Sequence, residues 1–334
     1  MKRSSALLAL TAVTLCGQAS LSGPAKEYIF DPGTQTIRAI IGAPGSAYLS
    51  DSVTGRVAFG SVAPNGFSAI VVNSRASDLI ADLSKSAAPI PLVGAIENPD
   101  QILWAQDSSS AVLFCSRSRS LQFVTQANQQ PFVQPKIDLS TLESNTVEAT
   151  RAARAPVNRV SAISLLAIDP AAKQAVVAVN RNGQADIYLV QNGVSPLRLM
   201  SGQSASAAAF ATDGSLYLVD GTAGQVTAIR NPSDSPQIQA LPAPQTALGQ
   251  PVAVAVEANQ LYIADSAANR IRIYDAATLQ LTAELQLDSA PSALELFSAT
   301  SFLVNARRKV TDPILLLQTS PTPTVIFIPS GANH

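Results

Sequence analysis

An internal repeat constrains the fold of this chain more than any other feature. Residues 216–230, LYLVDGTAGQVTAIR, return at residues 261–275 as LYIADSAANRIRIYD, a displacement of 45 positions. Each copy holds a short apolar stretch that ends in an aspartate, a turn of small residues and a second, alternating stretch, and both stretches have the period of a β-strand. A repeat of this length made of strands without helices is typical of a β-propeller blade.

The same pattern extends over most of the chain. Asparagine or aspartate turns follow the first strand of successive units at spacings of 42, 62, 44 and 46 residues, at Asn65, Asp107, Asp169, Asp213 and Asn259. Only the interval of 62 is out of step, and it contains residues 141–159, a polar segment with both signs of charge. We expect this segment to be a surface insert between blades, either a short helix or a long loop.

The units predict an all-β chain with a single β-propeller domain over residues 20–334, built from four-stranded antiparallel blades. Six full units can be counted, preceded by a hairpin at 28–30 and 36–41 with the turn Asp31-Pro32-Gly33. The hairpin either begins a reduced seventh blade or adds to the last of six. We expect seven blades, one of them reduced, with six as the alternative.

The N-terminus has the features of a secretory signal peptide. Lys2 and Arg3 precede an apolar run at 6–15, and Gly17 and Ala19 are small residues where a signal peptidase reads. We therefore expect a signal peptide at 1–19 and a mature protein in the periplasm or outside the cell. Residues 13–16 loosely resemble a lipobox, so lipid attachment at Cys16 is the alternative, although Leu15 stands where a small residue is wanted.

Charge and hydropathy exclude several partners of the mature chain. Removing residues 1–19 leaves 20 basic and 23 acidic side chains, a net charge of −3. This balance favours neither nucleic acid nor an anionic membrane as a partner, and no stretch predicts a membrane-spanning helix. Cys115 is then the sole cysteine, so the mature chain has no intrachain disulfide, and its apolar surroundings predict a buried thiol.

The second repeat copy resembles the NHL repeat. Tyr262, Ala264 and Asp265 match the first strand of its consensus, and Asn269, Arg270 and Ile271 match the turn and second strand. The first copy matches less well, with Gly224 and Gln225 in place of Asn and Arg. The resemblance to the NHL, YVTN, strictosidine synthase-like or TolB-like group implies a propeller fold. It leaves activity open, because the group includes protein-binding, RNA-binding and enzymatic members.

Within the repeat, we interpret Asp220, Asp265, Asn269 and Arg270 as structural residues. An aspartate at a strand end can accept backbone N–H bonds in the turn, and a nearby arginine can pair with it or with an adjacent blade.

Few catalytic constellations are available in this sequence. The single histidine is His334, the last residue given, so no Ser-His-Asp set and no histidine zinc site is expected. The resemblance would otherwise allow amidating and streptogramin lyases, which rely on histidine. Gluconolactonase-like propellers hold a divalent metal in the channel, and this chain has oxygen ligands of the right kind for a cation such as calcium. They stand at Glu97, Asn98, Asp107, Asn180, Asp220 and Asp265.

Two basic clusters are candidates for a binding surface. Arg151, Arg154 and Arg159 lie in the insert, and Arg307 and Arg308 lie in the segment after Val304. The leading hypothesis is a non-catalytic exported scaffold that binds a protein, peptide or glycan through its loop face, with no cofactor. The alternative is a metal-dependent hydrolase or lactonase working from the channel, and a third option is a purely structural envelope component. The sequence leaves the oligomeric state open.

Overall fold

The structure is a computed structural model that describes residues 27–42, 46–85, 88–127, 130–144, 162–181, 183–240, 248–305 and 312–329. The expected signal peptide at 1–19 lies outside the described residues, as does most of the 141–159 insert. The strands form seven antiparallel sheets, each made of consecutive strands. The chain is a seven-bladed β-propeller, which confirms the predicted all-β fold and the seventh, reduced blade.

The blades follow one another along the chain, and five of the seven have four strands. Blade 1 contains β1 (Glu27–Asp31), β2 (Thr36–Ile41) and β3 (Tyr48–Ser52). Blade 2 contains β4 (Phe59–Val62), β5 (Ala69–Asn73), β6 (Ala76–Ile80) and β7 (Ile90–Pro91), and blade 3 contains β8 (Gln101–Trp104), β9 (Ala111–Cys115), β10 (Ser120–Thr125), β11 (Phe132–Val133) and β12 (Ile137–Asp138). A single helical turn, α1 (Thr141–Ser144), follows.

Blades 4 to 7 have the regular four-strand order. Blade 4 contains β13 (Ala162–Ile168), β14 (Gln174–Arg181), β15 (Gln184–Gln191) and β16 (Val194–Gln203), and blade 5 contains β17 (Ala205–Phe210), β18 (Leu216–Asp220), β19 (Gln225–Arg230) and β20 (Gln237–Ala240). Blade 6 contains β21 (Pro251–Glu257), β22 (Gln260–Asp265), β23 (Arg270–Asp275) and β24 (Leu281–Gln286), and blade 7 contains β25 (Glu295–Ser298), β26 (Ser301–Leu303), β27 (Ile314–Gln318) and β28 (Thr324–Ile328).

Blade 1 has a third strand that the sequence analysis did not predict. The hairpin β1–β2 is present, and β3 pairs with β2 through an irregular register between Arg38 and Ile40. The Arg38 guanidinium donates from Nε to the carbonyl of Ser50 at 2.7 Å, and so replaces a ladder bond at this irregularity. The sequence YLSDS is polar and half exposed. It therefore lacks the apolar alternation by which the other strands were recognised.

The inner strands of neighbouring blades start together and end together. Near the start of β17, the Ser206 hydroxyl donates to the carbonyl of Pro251, the first residue of β21, at 3.0 Å. Past the other ends, the Gln106 amide donates to the Pro170 carbonyl at 3.0 Å. The ring therefore has two faces. We call the one where the inner strands begin the start face, and the opposite one the end face.

The blades are joined by apolar side chains that alternate between the two surfaces of each sheet, as expected where both surfaces are covered. One apolar cluster fills each junction, and the junction between blades 7 and 1 closes the ring with Ile29, Ile40, Leu49, Ile314, Leu316 and Ile328 among its members. Cys115 is a buried free thiol in the junction between blades 2 and 3. Among the described residues, no helix has the length and apolar character needed to cross a membrane.

The turns on the end face explain the spacing of the Asn and Asp anchors. In four of the five, the side-chain oxygen accepts a backbone N–H two or more residues further on, which closes a tight turn after the inner strand. The partners are Asn65 with Phe67, Asp107 with Ser109, Asp169 with Lys173 and Gln174, and Asp213 with Ser215. The fifth, Asn259, instead donates from Nδ2 to Oδ2 of Asp275 at 2.8 Å. These anchors therefore build the fold.

Candidate functional site

The two repeat copies occupy blades 5 and 6, and their terminal aspartates lie at the start face. Asp220 ends β18, where Oδ1 accepts the N–H groups of Thr222 and Ala223 at 2.8 and 2.7 Å. Its second oxygen accepts the N–H of Ser204 at 3.3 Å. The carboxylate thus holds its own turn and the segment that leads into β17.

Asp265 holds the corresponding segment of blade 6 and is fully buried. Its two oxygens accept the N–H groups of Gly249 and Gln250, each at 3.0 Å. Burial alone would raise the pKa of Asp265, but these backbone bonds and the nearby Arg272 guanidinium outweigh burial and hold its pKa below the usual value. Asp265 is therefore a buried, ionised clamp between blades 5 and 6.

Arg272, which the sequence analysis did not single out, is the buried cation of this site. Its side chain has no exposed surface, and its Nη2 lies 4.0 Å from Oδ2 of Asp265. Glu284 bridges two arginines, with Oε1 3.1 Å from Nε of Arg272 and Oε2 3.1 Å from Nη1 of Arg270. Arg270 thus pairs with Glu284 of its own blade. Two carboxylates balance two guanidinium groups, as a buried charge network requires.

The charge network is present in only one of the two repeat copies. Blade 5 has Thr227 at the position of Arg272, and its register pairs Thr227 with Ala240 where blade 6 pairs Arg272 with Glu284. Blade 5 therefore keeps the aspartate clamp but has neutral residues where blade 6 has a buried ion pair. The sequence signal for Arg272 was the alternation of β23, which places Arg272 on the same surface of the sheet as Tyr274. Tyr274 packs in the junction between blades 5 and 6.

Asn269 and Gly224 occupy the same position in the two turns, and both have left-handed backbone. Their φ values are 48° and 63°, a region that glycine adopts freely and asparagine tolerates better than other residues. Gly224 stands where the NHL pattern has asparagine, and both residues accept the left-handed backbone conformation that this position requires. A Cβ at position 224 would lie 2.8 Å from the carbonyl oxygen of Leu248. Because this distance is too short for a side-chain carbon, the position requires glycine.

We expect Asn269→Gly to change the free energy of unfolding by less than about 0.5 kcal/mol, because both residues accept this conformation. Asn269→Val should cost about 1–2 kcal/mol, because a β-branched side chain is strained at positive φ. Urea denaturation of both variants measures the difference. Equal stability of the two variants would contradict a conformational role for Asn269.

The central channel has a volume of about 450 Å³ and is lined by the inner strands of blades 2 to 7. Its wall holds small and neutral side chains such as Ser61, Gln101, Ser164 and Ser206. The charged residues among its described lining are Asp169, Glu257 and Glu295, all acidic. The channel is thus mostly neutral and without a basic side chain among its described lining.

A side chamber of about 230 Å³ lies next to the channel, between the inner strands of blades 7, 1, 2 and 3. It shares Ser61, Gln101 and Glu295 with the channel lining. Three half-buried phenylalanines line it from three different strands: Phe30 of β1, Phe59 of β4 and Phe297 of β25. The rings of Phe30 and Phe59 pack edge to face with centroids 5.8 Å apart.

The six oxygen ligands that the sequence offered for a metal are distributed over separate blades, and none lines the channel. Asp107 closes an end-face turn, Asp220 and Asp265 clamp start-face segments, and Asn180 donates to the Ser164 hydroxyl at 3.0 Å. Glu97 and Asn98 lie in the connection between β7 and β8. The described residues contain no group of three or more Asp, Glu, His or Cys able to hold a metal ion.

The predicted basic residues Arg151, Arg154, Arg159, Arg307 and Arg308 lie outside the described residues. The strands that flank both segments are described, and they show at which face of the ring each segment begins and ends. The connection between β12 and β13 and the connection between β26 and β27 both leave and rejoin the ring at the start face. A third connection, residues 241–250 between β20 and β21, also joins strand ends on the start face. These three are the longest connections between strands.

Comparison with known proteins shows the fold alone. No family model matches the chain, and no curated protein matches its sequence. Among solved structures, it is similar to a putative 6-phosphogluconolactonase from Bacteroides fragilis, with 14% identity, a TM-score of 0.57 and coverage of 94% of this chain and 96% of that chain.

Two other solved structures show the same likeness. Kuenenia stuttgartiensis hydrazine synthase has 15% identity, a TM-score of 0.51 and coverage of 94% of this chain and 99% of that chain. PorZ, a surface component of the type-IX secretion system of Porphyromonas gingivalis, has 11% identity and a TM-score of 0.52, with coverage of 80% of this chain and 32% of that chain. These structures include enzymes and a surface component, so the shared fold leaves the activity open.

Proposed function

We propose that this chain is an exported, non-catalytic β-propeller that binds a protein, peptide or glycan through its start face. The observation that carries the proposal is the concentration of the three longest connections on that face of the ring. Long connections on a rigid scaffold are where recognition commonly occurs. The end-face turns after the inner strands of blades 2, 3 and 5, in contrast, are short and are closed by Asn65, Asp107 and Asp213.

The positions of the basic segments support the same face. Arg151, Arg154 and Arg159 belong to the connection between blades 3 and 4, and Arg307 and Arg308 to a connection within blade 7. We propose these five arginines as the binding residues, with an acidic partner surface as their complement. With the signal peptide that we propose at 1–19, the partner is a molecule of the periplasm or the cell exterior.

We expect the mature chain to capture its partner from an extract of the cell envelope or the culture medium. A variant lacking residues 145–159, and a variant with Arg151, Arg154 and Arg159 replaced by glutamine, should lose binding at least about tenfold in a direct titration of the captured partner. The matched control replaces Lys173 and Arg230, which lie toward the end face, by glutamine. Unchanged binding by both insert variants would exclude the insert as the binding site.

The export proposal has its own test. The protein recovered from the periplasm or medium should begin at Ser20, as read by N-terminal sequencing. Recovery of the intact chain, beginning at Met1 and confined to the cytoplasm, would contradict it. A lipid on an N-terminal cysteine would instead support attachment at Cys16.

The alternative function is a metal-dependent hydrolase or lactonase with a divalent cation in the channel. Three of the candidate ligands, Asp107, Asp220 and Asp265, are engaged by backbone N–H groups of separate blades, and the described channel lining carries acidic groups in blades 4, 6 and 7. A phosphorylated lactone would bring negative charge to this acidic lining, which disfavours such a substrate. Elemental analysis of the purified protein separates the two functions, because the hydrolase requires stoichiometric metal whose removal abolishes activity.

A further inference from the structure

We infer that the side chamber beside the channel is a binding site for a small organic cation, an ammonium or guanidinium group on an apolar stem. This inference does not depend on binding at the start face by the long connections. Its basis is the combination of aromatic rings, cavity size and lining charge at one place in the ring.

The aromatic lining is the first part of the argument. The chain is poor in aromatic residues, at 5% of its length. Phe30, Phe59 and Phe297 nevertheless line one chamber from three neighbouring inner strands, and each is only partly buried. Gly60 lies beside this cluster, where an added Cβ would come within 3.3 Å of the Phe30 ring. The faces of such rings are negative and attract a cation placed over them.

The charge of the lining is the second part. Asp100 and Glu295 line the chamber, and its described lining contains no lysine, arginine or histidine. The adjoining channel adds Asp169 and Glu257, again without a basic residue among the described lining. Oε2 of Glu257 is buried with no hydrogen-bond partner among the described residues. Burial, and after it the negative charge of Glu257, raise the pKa of Tyr262 to about 12.

The carboxylates at the chamber also have structural partners. Asp100 accepts the N–H of Ser116 at 3.0 Å, and Glu295 has an interaction of its own. The attraction for a cation therefore comes from the sum of the lining charges, and no free carboxylate is needed. A concave wall with one sign of charge and apolar sides concentrates its potential, so it favours a cationic ligand over a neutral or anionic one of the same shape.

The size of the chamber is the third part. A volume of about 230 Å³ is below the usual range for a drug-sized ligand, which begins at about 300 Å³. It therefore suits a group about as large as an amino-acid side chain, with the wider channel of about 450 Å³ as the route of access. The ligand is thus a small arylalkyl- or alkylamine, or the basic side chain of a peptide that reaches in from the channel.

The test compares probes of one shape and three charges on the purified mature protein. The probes are phenethylammonium, phenethyl alcohol and phenylacetate, and the readout is the fluorescence of Trp104, the single tryptophan. Trp104 lines the channel, and its Nε1 donates to the carbonyl of Ser61 at 3.3 Å. Ser61 lines both the channel and the chamber. We expect the cation to bind with a dissociation constant of about 1 mM or below, the alcohol several-fold more weakly, and the anion not measurably.

Variants connect the binding to the chamber. Glu295→Gln removes charge but keeps shape, and should weaken the cation about tenfold without changing the alcohol. Glu97→Gln is the matched control, since Glu97 is exposed and outside both linings. Phe59→Leu should weaken the cation about fivefold, with the thermal midpoint recorded to separate loss of binding from loss of folding. Ser116→Ala removes a hydroxyl partner of Asp100 but keeps its charge, so it should retain binding.

Several results would overturn the inference. They are equal binding of the three probes, equal effects of Glu295→Gln and Glu97→Gln, or no saturable binding of the cation. Nα-acetyl-lysine amide and Nα-acetyl-arginine amide distinguish a peptide side chain from a free amine as the source of the cation. Capture of a partner by the long connections can succeed or fail independently of every one of these measurements.

Discussion

Replacement of Asp265 by alanine should lower the free energy of unfolding by about 3–5 kcal/mol, the range for breaking a buried ion pair from one side. The variant leaves the fully buried Arg272 with one carboxylate instead of two in its network. It also removes the acceptor of the Gly249 and Gln250 N–H groups, which lie in the segment between blades 5 and 6. Urea denaturation followed by circular dichroism measures the change through the midpoint and slope.

The first repeat copy supplies the matched control for this prediction. Asp220 makes the corresponding bond to Ser204, but it is partly exposed and has Thr227 where blade 6 has Arg272. Asp220→Ala should therefore cost only about 1–2 kcal/mol, the value of its hydrogen bonds. Asp265→Asn, which keeps one acceptor oxygen but loses the charge, should fall between the two alanine variants. Equal losses for Asp220→Ala and Asp265→Ala would show that the ion pair adds nothing to the clamp.

The same carboxylate gives the fold a dependence on pH. Because the pKa of Asp265 is lower in the folded protein than its usual value, folding is favoured by the ionised form. Its stabilisation is fully present above about pH 4, near the pKa of an unfolded aspartate, and decreases as the pH falls through the lower folded value. The Asp265→Asn variant should accordingly lose less stability than the parent protein between about pH 4 and pH 2.

The sequence predicted the ring because its signals are local. The alternation of β18 and β22, the small-residue turns that follow them, and the Asn and Asp turn anchors each depend on residues within one blade. Local periodicity of this kind survives in most strands, even where the consensus residues do not. It therefore predicted the all-β propeller fold and favoured seven blades over six, but it did not reveal β3 of blade 1.

The features that the sequence did not predict depend on contacts between strands or between blades. Arg272 reads as an exposed residue of an alternating strand until blade 5 covers it. The phenylalanine chamber joins Phe30, Phe59 and Phe297, which are far apart in sequence and meet only because the ring closes. Likewise, Glu284 stands in an outer strand with mostly exposed residues, and only the register with β23 shows that it bridges two arginines.

Closure of the ring leads to the second large effect, which we expect from Ile314→Ala. Blades 1 and 7 are each built from consecutive strands, and among the described residues no strand from one end of the chain enters the sheet of the other. Among the described strands, the ring is therefore closed by side-chain packing and not by strand pairing. Ile314 is fully buried in this junction, where it joins the cluster that contains Ile29, Ile40 and Leu49. Its truncation should cost about 3–4 kcal/mol, the usual range for deleting a buried isoleucine side chain.

The location of the loss distinguishes this junction from the others. Ile229→Ala is the matched control, because Ile229 is equally buried but lies between blades 4 and 5, which a single residue of chain connects. Both variants should lose similar global stability. In Ile314→Ala, however, hydrogen exchange should rise first in β1–β3 and in β27–β28, because a weakened seam opens without breaking a sheet. Exchange that rises evenly over all seven blades would mean that the ring opens only when the whole domain unfolds.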